Sequence, residues 1–129
     1  MRILIPLLAI ALAGSAVAAD RAPRQSDEER LAAALKGLVP DKPMDCLIDR
    51  QPSQIEAYGP TILYRVSKNL VYRNDTGGGC EHIASGDILV TTSISGRLCR
   101  GDIGRTVSPS RFPTGSCSLG SFTAYRRPK

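Results

Sequence analysis

The chain has 129 residues, of which 22% are charged and 5% aromatic, with no tryptophan and a formal net charge of +5. That length suits one small domain and excludes a multidomain protein. The basic residues are scattered apart from the terminal "YRRPK", so no nucleic-acid partner is expected.

Residues 1–19 have the pattern of an export signal. "MR" is a short positive start, and "ILIPLLAIALAG" is an apolar run too short, and interrupted by Pro6, to span a bilayer comfortably. "SAVAAD" offers small residues for cleavage after Ala18 or Ala19. In "LAGS" a serine, Ser15, stands where a bacterial lipidation box needs cysteine, so no lipid anchor is expected. The expected product is periplasmic or secreted, with no transmembrane segment in the mature chain. Losing Arg2 leaves 16 bases and 12 acids, a net 16 − 12 = +4.

Residues 20–45 read as a linker and a short helix. After the polar "DRAPRQ", Ser26 and Glu29 form a capping box, and Asp27, Glu28 and Glu29 lie where the helix dipole favours negative charge. Leu31, Leu35 and Leu38 make one apolar stripe. The spacing predicts about three turns, ended by Gly37 and Pro40.

From Cys46 to Lys129 the period changes to that of a small β domain. "QIEAY" (54–58) and "TILYRV" (61–66) are split by Gly59-Pro60, and Ile62, Tyr64 and Val66 share one face. "SKN" turns the chain into "LVYRN" (70–74). "DILVTTSI" (87–94), with Ile88, Val90 and Thr92 on one face, and "GSFTAYR" (120–126) are further strands; Gly-, Ser- and Pro-rich loops are expected between them. The fold class is mainly β: a small twisted antiparallel sheet or partly closed barrel with one short N-terminal helix.

Cys46, Cys80, Cys99 and Cys117 are an even set in a small exported chain, which predicts two disulfides. Three pairings are open to the sequence; Cys46 with Cys99 and Cys80 with Cys117 is the preferred one.

"YRNDTGGGCEH" (72–82) gathers three glycines, a cysteine, a glutamate and the only histidine. A Cys80–His82 nucleophile lacks an orienting third group, and a zinc site on Cys80, Glu81 and His82 lacks a further free cysteine. A phosphate-cradling loop would open a helix, and none is evident after the glycines. The segment therefore reads as a turn through Gly77, Gly78 and Gly79 at positive φ, stapled by Cys80. "NDT" (74–76) reads as a turn in which Asn74 and Asp75 bond their own backbone. "RGD" (100–102) recurs by chance, and Asp102 is expected to cap its loop or pair with Arg100 or Arg105. The repeated "YR" at Tyr64-Arg65 and Tyr72-Arg73 offers an aromatic–guanidinium ladder, though core packing of the tyrosines is the more ordinary use.

The motifs "TILYRV", "VYRN" before Cys80, "RLCRGD" and "GSCSLGSF" resemble a family of small exported bacterial proteins known only as a domain of unknown function. The resemblance runs from Cys46 to Tyr125 and departs from the pattern at Glu81-His82. It implies a secreted, cysteine-bearing, mostly β domain and supplies no activity or cofactor.

Residues 97–129 carry seven bases against Asp102 alone, whereas residues 20–96 carry nine bases and eleven acids. Arg97, Arg100, Arg105, Arg126 and Arg127 are thus the candidate anion-binding residues, facing an anionic envelope component. The expected role is binding or structural, with an envelope enzyme inhibitor as the alternative. A basic lysozyme would be a poor target for a basic chain. A small metal-dependent hydrolase using Glu81, His82 and an aspartate is the remaining alternative. No catalytic residue, metal site or cofactor is assigned.

Overall fold

The structure is a computed structural model that describes residues 23–48 and 52–129, so the expected export signal lies outside the described residues. Helix α1 spans Asp27–Ala34, and the strands are β1 (Val39–Pro40), β2 (Gln54–Tyr58), β3 (Thr61–Ser67), β4 (Leu70–Asp75), β5 (Ile88–Thr92), β6 (Ile103–Val107), β7 (Pro113–Ser118) and β8 (Phe122–Arg126). They form a five-stranded sheet in the order β1-β8-β4-β3-β2 and a three-stranded sheet in the order β5-β6-β7. All pairings are antiparallel, and neither sheet closes into a barrel.

Side-chain alternation along the central strands gives the larger sheet two buried faces. On one face Ile62 and Tyr64 of β3, Tyr72 of β4, and Phe122 and Ala124 of β8 join Leu47, Ile83, Leu119 and the Cys80 and Cys117 sulfurs in the main core. On the other, Leu63 and Val71 receive Leu35 from α1, with Leu31 and Leu38 alongside. The leucine stripe thus packs the helix on its own domain. The capping box forms as the sequence implies: Glu29 N–H donates to Ser26 Oγ, and Ser26 N–H donates to the Glu29 carboxylate. The helix is shorter than three turns, 8 residues. Only Leu31 and Leu35 of the stripe lie on or beside it, and Leu38 belongs to the turn leading to β1.

Several expectations are corrected. β6 and β7 run through "IGRTV" and "PTGSCS", where loops were expected. The β structure also begins before Cys46, because Val39 and Pro40 pair with Arg126 and Tyr125. Asn74 does not bond its own backbone in a turn. It is fully buried at the end of β4 and clamps Gly120, donating to its carbonyl and accepting its N–H, both at 2.8 Å. Asp75 instead takes the Thr61 hydroxyl and pairs with Arg73. No "YR" ladder exists. Tyr64 lies directly opposite Tyr72, but Arg65 faces Val71 and Arg73 faces Leu63, and both tyrosines are buried.

Both disulfides have the preferred pairing, Cys46–Cys99 and Cys80–Cys117. Each ties the smaller sheet to the larger one's surroundings. Met44 bridges to Phe122 of β8, and two residues later Cys46 is bonded to Cys99 in the β5–β6 connection. Backbone bonds from Leu47 N–H to the Leu98 carbonyl and from Arg100 N–H to the Asp45 carbonyl run beside it. With the paired cysteines 53 and 37 positions apart in sequence, loop closure stabilises the fold by about 4 kcal/mol for each on the chain-entropy argument.

The Asn74 clamp and the Tyr64 hydroxyl make opposite predictions. Removing the Asn74 amide strands two buried backbone groups, so Asn74→Ala should cost about 3 kcal/mol in urea unfolding with disulfides intact. The Tyr64 hydroxyl is buried with no hydrogen-bond partner, and burial raises its pKa strongly. Tyr64→Phe should therefore be neutral or stabilising, by up to about 1 kcal/mol. A loss as large as that of Asn74→Ala would show that the hydroxyl is bonded in solution.

Candidate functional site

The glycine-rich segment between β4 and β5 is built as a packing device. Gly78 and Gly79 have φ of +91° and +108°, while Gly77 is not at positive φ. Positive φ is therefore needed at two of the three glycines rather than all of them. At Gly79 a β-carbon would collide with the Ser116 carbonyl oxygen, and at Gly115 of β7 one would collide with the Gly79 carbonyl. The two backbones thus lie directly against each other, and the neighbouring Cys80–Cys117 bond fixes them there. Contrary to the expectation from sequence, a helix does follow the glycines. It is a five-residue 3₁₀ helix, Glu81–Ser85, that buries Ile83.

Glu81 and His82 do not form a catalytic pair. The Glu81 carboxylate folds back to accept the Gly79 N–H at 2.9 and 3.0 Å. That bond, with a further backbone bond to its own N–H, holds its pKa below the ordinary value of 4.5. His82 is exposed, and its carbonyl, not its ring, is used, accepting the Asp87 N–H. Among the described residues no three of His, Cys, Asp and Glu come together to hold a metal ion.

A cleft of about 340 Å³ lies between α1 and the β2–β3 end of the larger sheet, lined by Asp27, Leu31, Tyr58, Thr61 and Arg73 among others. Two of its charged groups are paired, Asp27 with Arg30 and Arg73 with Asp75, and Glu28, also in the lining, lies exposed on the first turn of α1. Burial, and donation of its hydroxyl to Glu56, raise the pKa of Tyr58. This cleft joins the helix to the sheet, and its lining brings no acid, base and nucleophile together.

The candidate anion-binding arginines do not form one group. Arg126 and Arg127 lie at the end of β8 in the larger sheet, where Arg126 pairs with Asp41 at 3.0 Å. Arg105 lies on β6, and Arg97 and Arg100 lie in the β5–β6 connection. Among the described residues these last three make no ion pair, and all three are exposed. The nearby Asp102 carboxylate caps its loop by accepting the Cys99 N–H at 2.8 Å.

Sequence reasoning missed what lies around Arg105. The smaller sheet turns Leu89, Gly104, Thr106 and Cys117 inward. Thr114 links its inner layer by donating to Asp87, and its hydroxyl also bonds Thr106. The opposite face is open. The register sets Ile88 beside Val107, Val90 beside Arg105 beside Ser116, and Thr92 beside Ile103 beside Ser118. Ile88, Val90 and Ile103 are 59%, 50% and 43% exposed, and Phe112, at the entry to β7, is 70% exposed. The result is an apolar face roughly 15 Å across with a guanidinium at its centre. The only signal in the sequence was the alternation in "DILVTTSI", which marks two faces without saying which is buried.

The chain matches no family model, and neither a characterised protein nor a solved structure is similar to it. The functional reading therefore rests on geometry.

The loop generates two predictions. Gly79→Ala should destabilise the fold severely, because both φ and space oppose a side chain, while Gly77→Ala and His82→Ala should be close to neutral; chemical unfolding of the three variants tests this. Glu81 has a folded pKa lowered by backbone donors, so its contribution is present above the unfolded glutamate pKa and is lost as pH falls through the lower folded value. Below about pH 4.5 the wild type should lose stability faster than Glu81→Gln. Parallel acid limbs in the two proteins would contradict the Gly79 bond.

Proposed function

We propose that this chain is an exported, disulfide-stapled binding domain of the bacterial envelope, delivered by its N-terminal signal, and that it takes an anionic partner on the open face of the β5–β6–β7 sheet. One observation carries the reading. A covalently anchored sheet exposes Ile88, Val90 and Ile103 around an unpaired Arg105, with Phe112 exposed at the entry to β7, an arrangement that costs solubility unless a partner covers it. Residues 87–118 hold Arg97, Arg100, Arg105 and Arg111 against Asp87 and Asp102, a net of 4 − 2 = +2. The field there attracts negative charge and the face rewards apolar contact. Two disulfides fit an oxidising compartment, and among the described residues no helix is long and apolar enough to cross a membrane.

The test is co-sedimentation of the purified mature protein with bacterial envelope fragments at low and high salt. Binding should fall steeply as salt rises, because exposed charges are screened over about 8 Å at physiological ionic strength. Arg105→Ser combined with Ile88→Ser should weaken it, whereas Arg126→Ser with Arg127→Ser should change it little. No binding at low salt, or loss only with the Arg126 and Arg127 pair, would remove this face from the account.

A further inference from the structure

The smaller sheet has a second unusual feature, its free edge. Among the described residues, three of the four sheet edges are guarded. β1 is 2 residues long and ends in Pro40. β2 is flanked by the 3₁₀ helix and by α1. β7 lies under the Gly77–Cys80 loop, with the Gly77 N–H reaching the Ser118 carbonyl and the Gly79 backbone against Gly115. β5 has none of these devices. It pairs only with β6, and among the described residues no other backbone bond reaches it. From Ile88 to Ser95 the chain "ILVTTSIS" contains no charge, no proline and no glycine. Ile94, just past the strand, is fully exposed. Natural sheets blunt such edges with charge, proline, bulges or cover, because an unpaired β-rich edge recruits another strand.

Resting on the binding reading above, we infer that β5 is a strand-addition site for an extended acidic polypeptide segment. The backbone of the incoming segment pairs with the free edge of β5. Its apolar side chains continue the row made by Ile88 and Val90, and its carboxylates reach the arginines. Arg105 stands one strand in from the edge, directly beside Val90, so its long side chain can lean across Val90 to a carboxylate on the added strand. Arg97 and Arg100 line the β5–β6 connection at one end of that strand.

Charge decides between this occupant and a second copy of the chain. Self-pairing about Val90 would satisfy the backbone equally well. It would also bring together two sheets whose strands and connections each hold four arginines against Asp87 and Asp102, whose carboxylates are already occupied by the Thr114 hydroxyl and the Cys99 N–H. An acidic strand gains from the same charges that a second copy would suffer from. Main-chain pairing supplies affinity, and the alternating pockets and cations supply selectivity.

The probe is a blocked, labelled peptide about ten residues long, with valine and glutamate taking turns at every second position and threonine between them, so that valines and carboxylates share the face of Ile88, Val90 and Arg105; it is long enough to overhang the five residues of β5. Two analogues carry backbone N-methyl groups on alternate residues, one in each phase. Binding to the disulfide-intact protein is read by fluorescence anisotropy. Methylation in one phase should weaken binding about tenfold or more, and in the other much less, because only one set of amides faces β5. Val90→Glu should weaken the unmodified peptide by about tenfold through like charge at the edge. Equal affinity for all three peptides would reduce the interaction to plain charge attraction and overturn the inference. So would a free protein that sediments as a dimer and becomes monomeric with Val90→Glu, since the edge would then belong to a second copy. A polyuronate tested in parallel separates the two readings. If it binds and the peptide does not, strand addition falls and the anionic-partner reading stands; if neither binds, both fall.

Discussion

The contact between the Gly79 and Gly115 backbones, closed by the Cys80–Cys117 bond, sets the distance between the two sheets. Main chain lies on main chain there, so no side chain can act as a spacer. Everything nearby is scaled to that distance. Gly104, opposite Cys117 on β6, leaves room for both sulfurs of the bridge and for the Leu89 side chain. Thr106, fully buried, meets Thr114 rather than an apolar neighbour. The 3₁₀ helix begins immediately after Cys80 and delivers Ile83 to the same core. The three glycines and the cysteine are one structural device, and the residues that looked reactive beside them serve it: the Glu81 carboxylate binds the Gly79 N–H instead of a substrate.

This joint explains why an apolar face can stand open. The five-stranded sheet is covered on both sides, by α1 and by the main core, and it holds the large buried side chains Tyr64, Tyr72 and Phe122. The three-stranded sheet gives the core mainly small groups, Gly104, Thr106 and Cys117, with Leu89 beside them. Such a layer buries too little apolar surface to be held firmly by packing alone. Two covalent bonds, one from each end of the surrounding chain, compensate. With attachment secured from within, the outer face is under no demand to be buried, and hydrophobic side chains there are available to a partner.

Much of this was legible in residue order, and the failures have physical causes. β2, β3 and β4 could be read because β-branched and aromatic residues alternate there and Gly-Pro and Lys-Asn punctuate them. The Ser26–Glu29 cap could be read because its chemistry is local. β6 and β7 could not. "IGRTV" and "PTGSCS" are rich in residues that ordinarily mark loops, and each glycine is required by a contact with a distant segment: Gly104 by the Cys80–Cys117 bridge, and Gly115 by Gly79. Asn74 failed for the same reason. Its partner, Gly120, is 46 residues away, so the local habit of asparagine in turns was overridden by a clamp that no window of sequence contains. The basic C-terminal third was visible as charge, but only the fold assigns Arg105 to an apolar face and Arg126 to an ion pair with Asp41.

The residues that hold this fold together are therefore separate from those of the proposed binding face. A substitution at Val90 or Arg105 touches a face that the core does not use, so its effect should appear in binding with little change in unfolding. A substitution at Gly79, Gly115 or Asn74 should do the reverse until the fold fails. The separation also bears on why β5 stays uncharged. A lysine on this strand would guard the edge at almost no cost to the core, and both Ile88 and Val90 are exposed enough to accept one. Natural sheets commonly use that remedy. Here it would place another cation beside Arg105 and interrupt the apolar row, which protects the edge by spoiling it as a template. An edge left bare where guarding it is easy, beside cations that disfavour self-pairing, is better explained by use than by neglect.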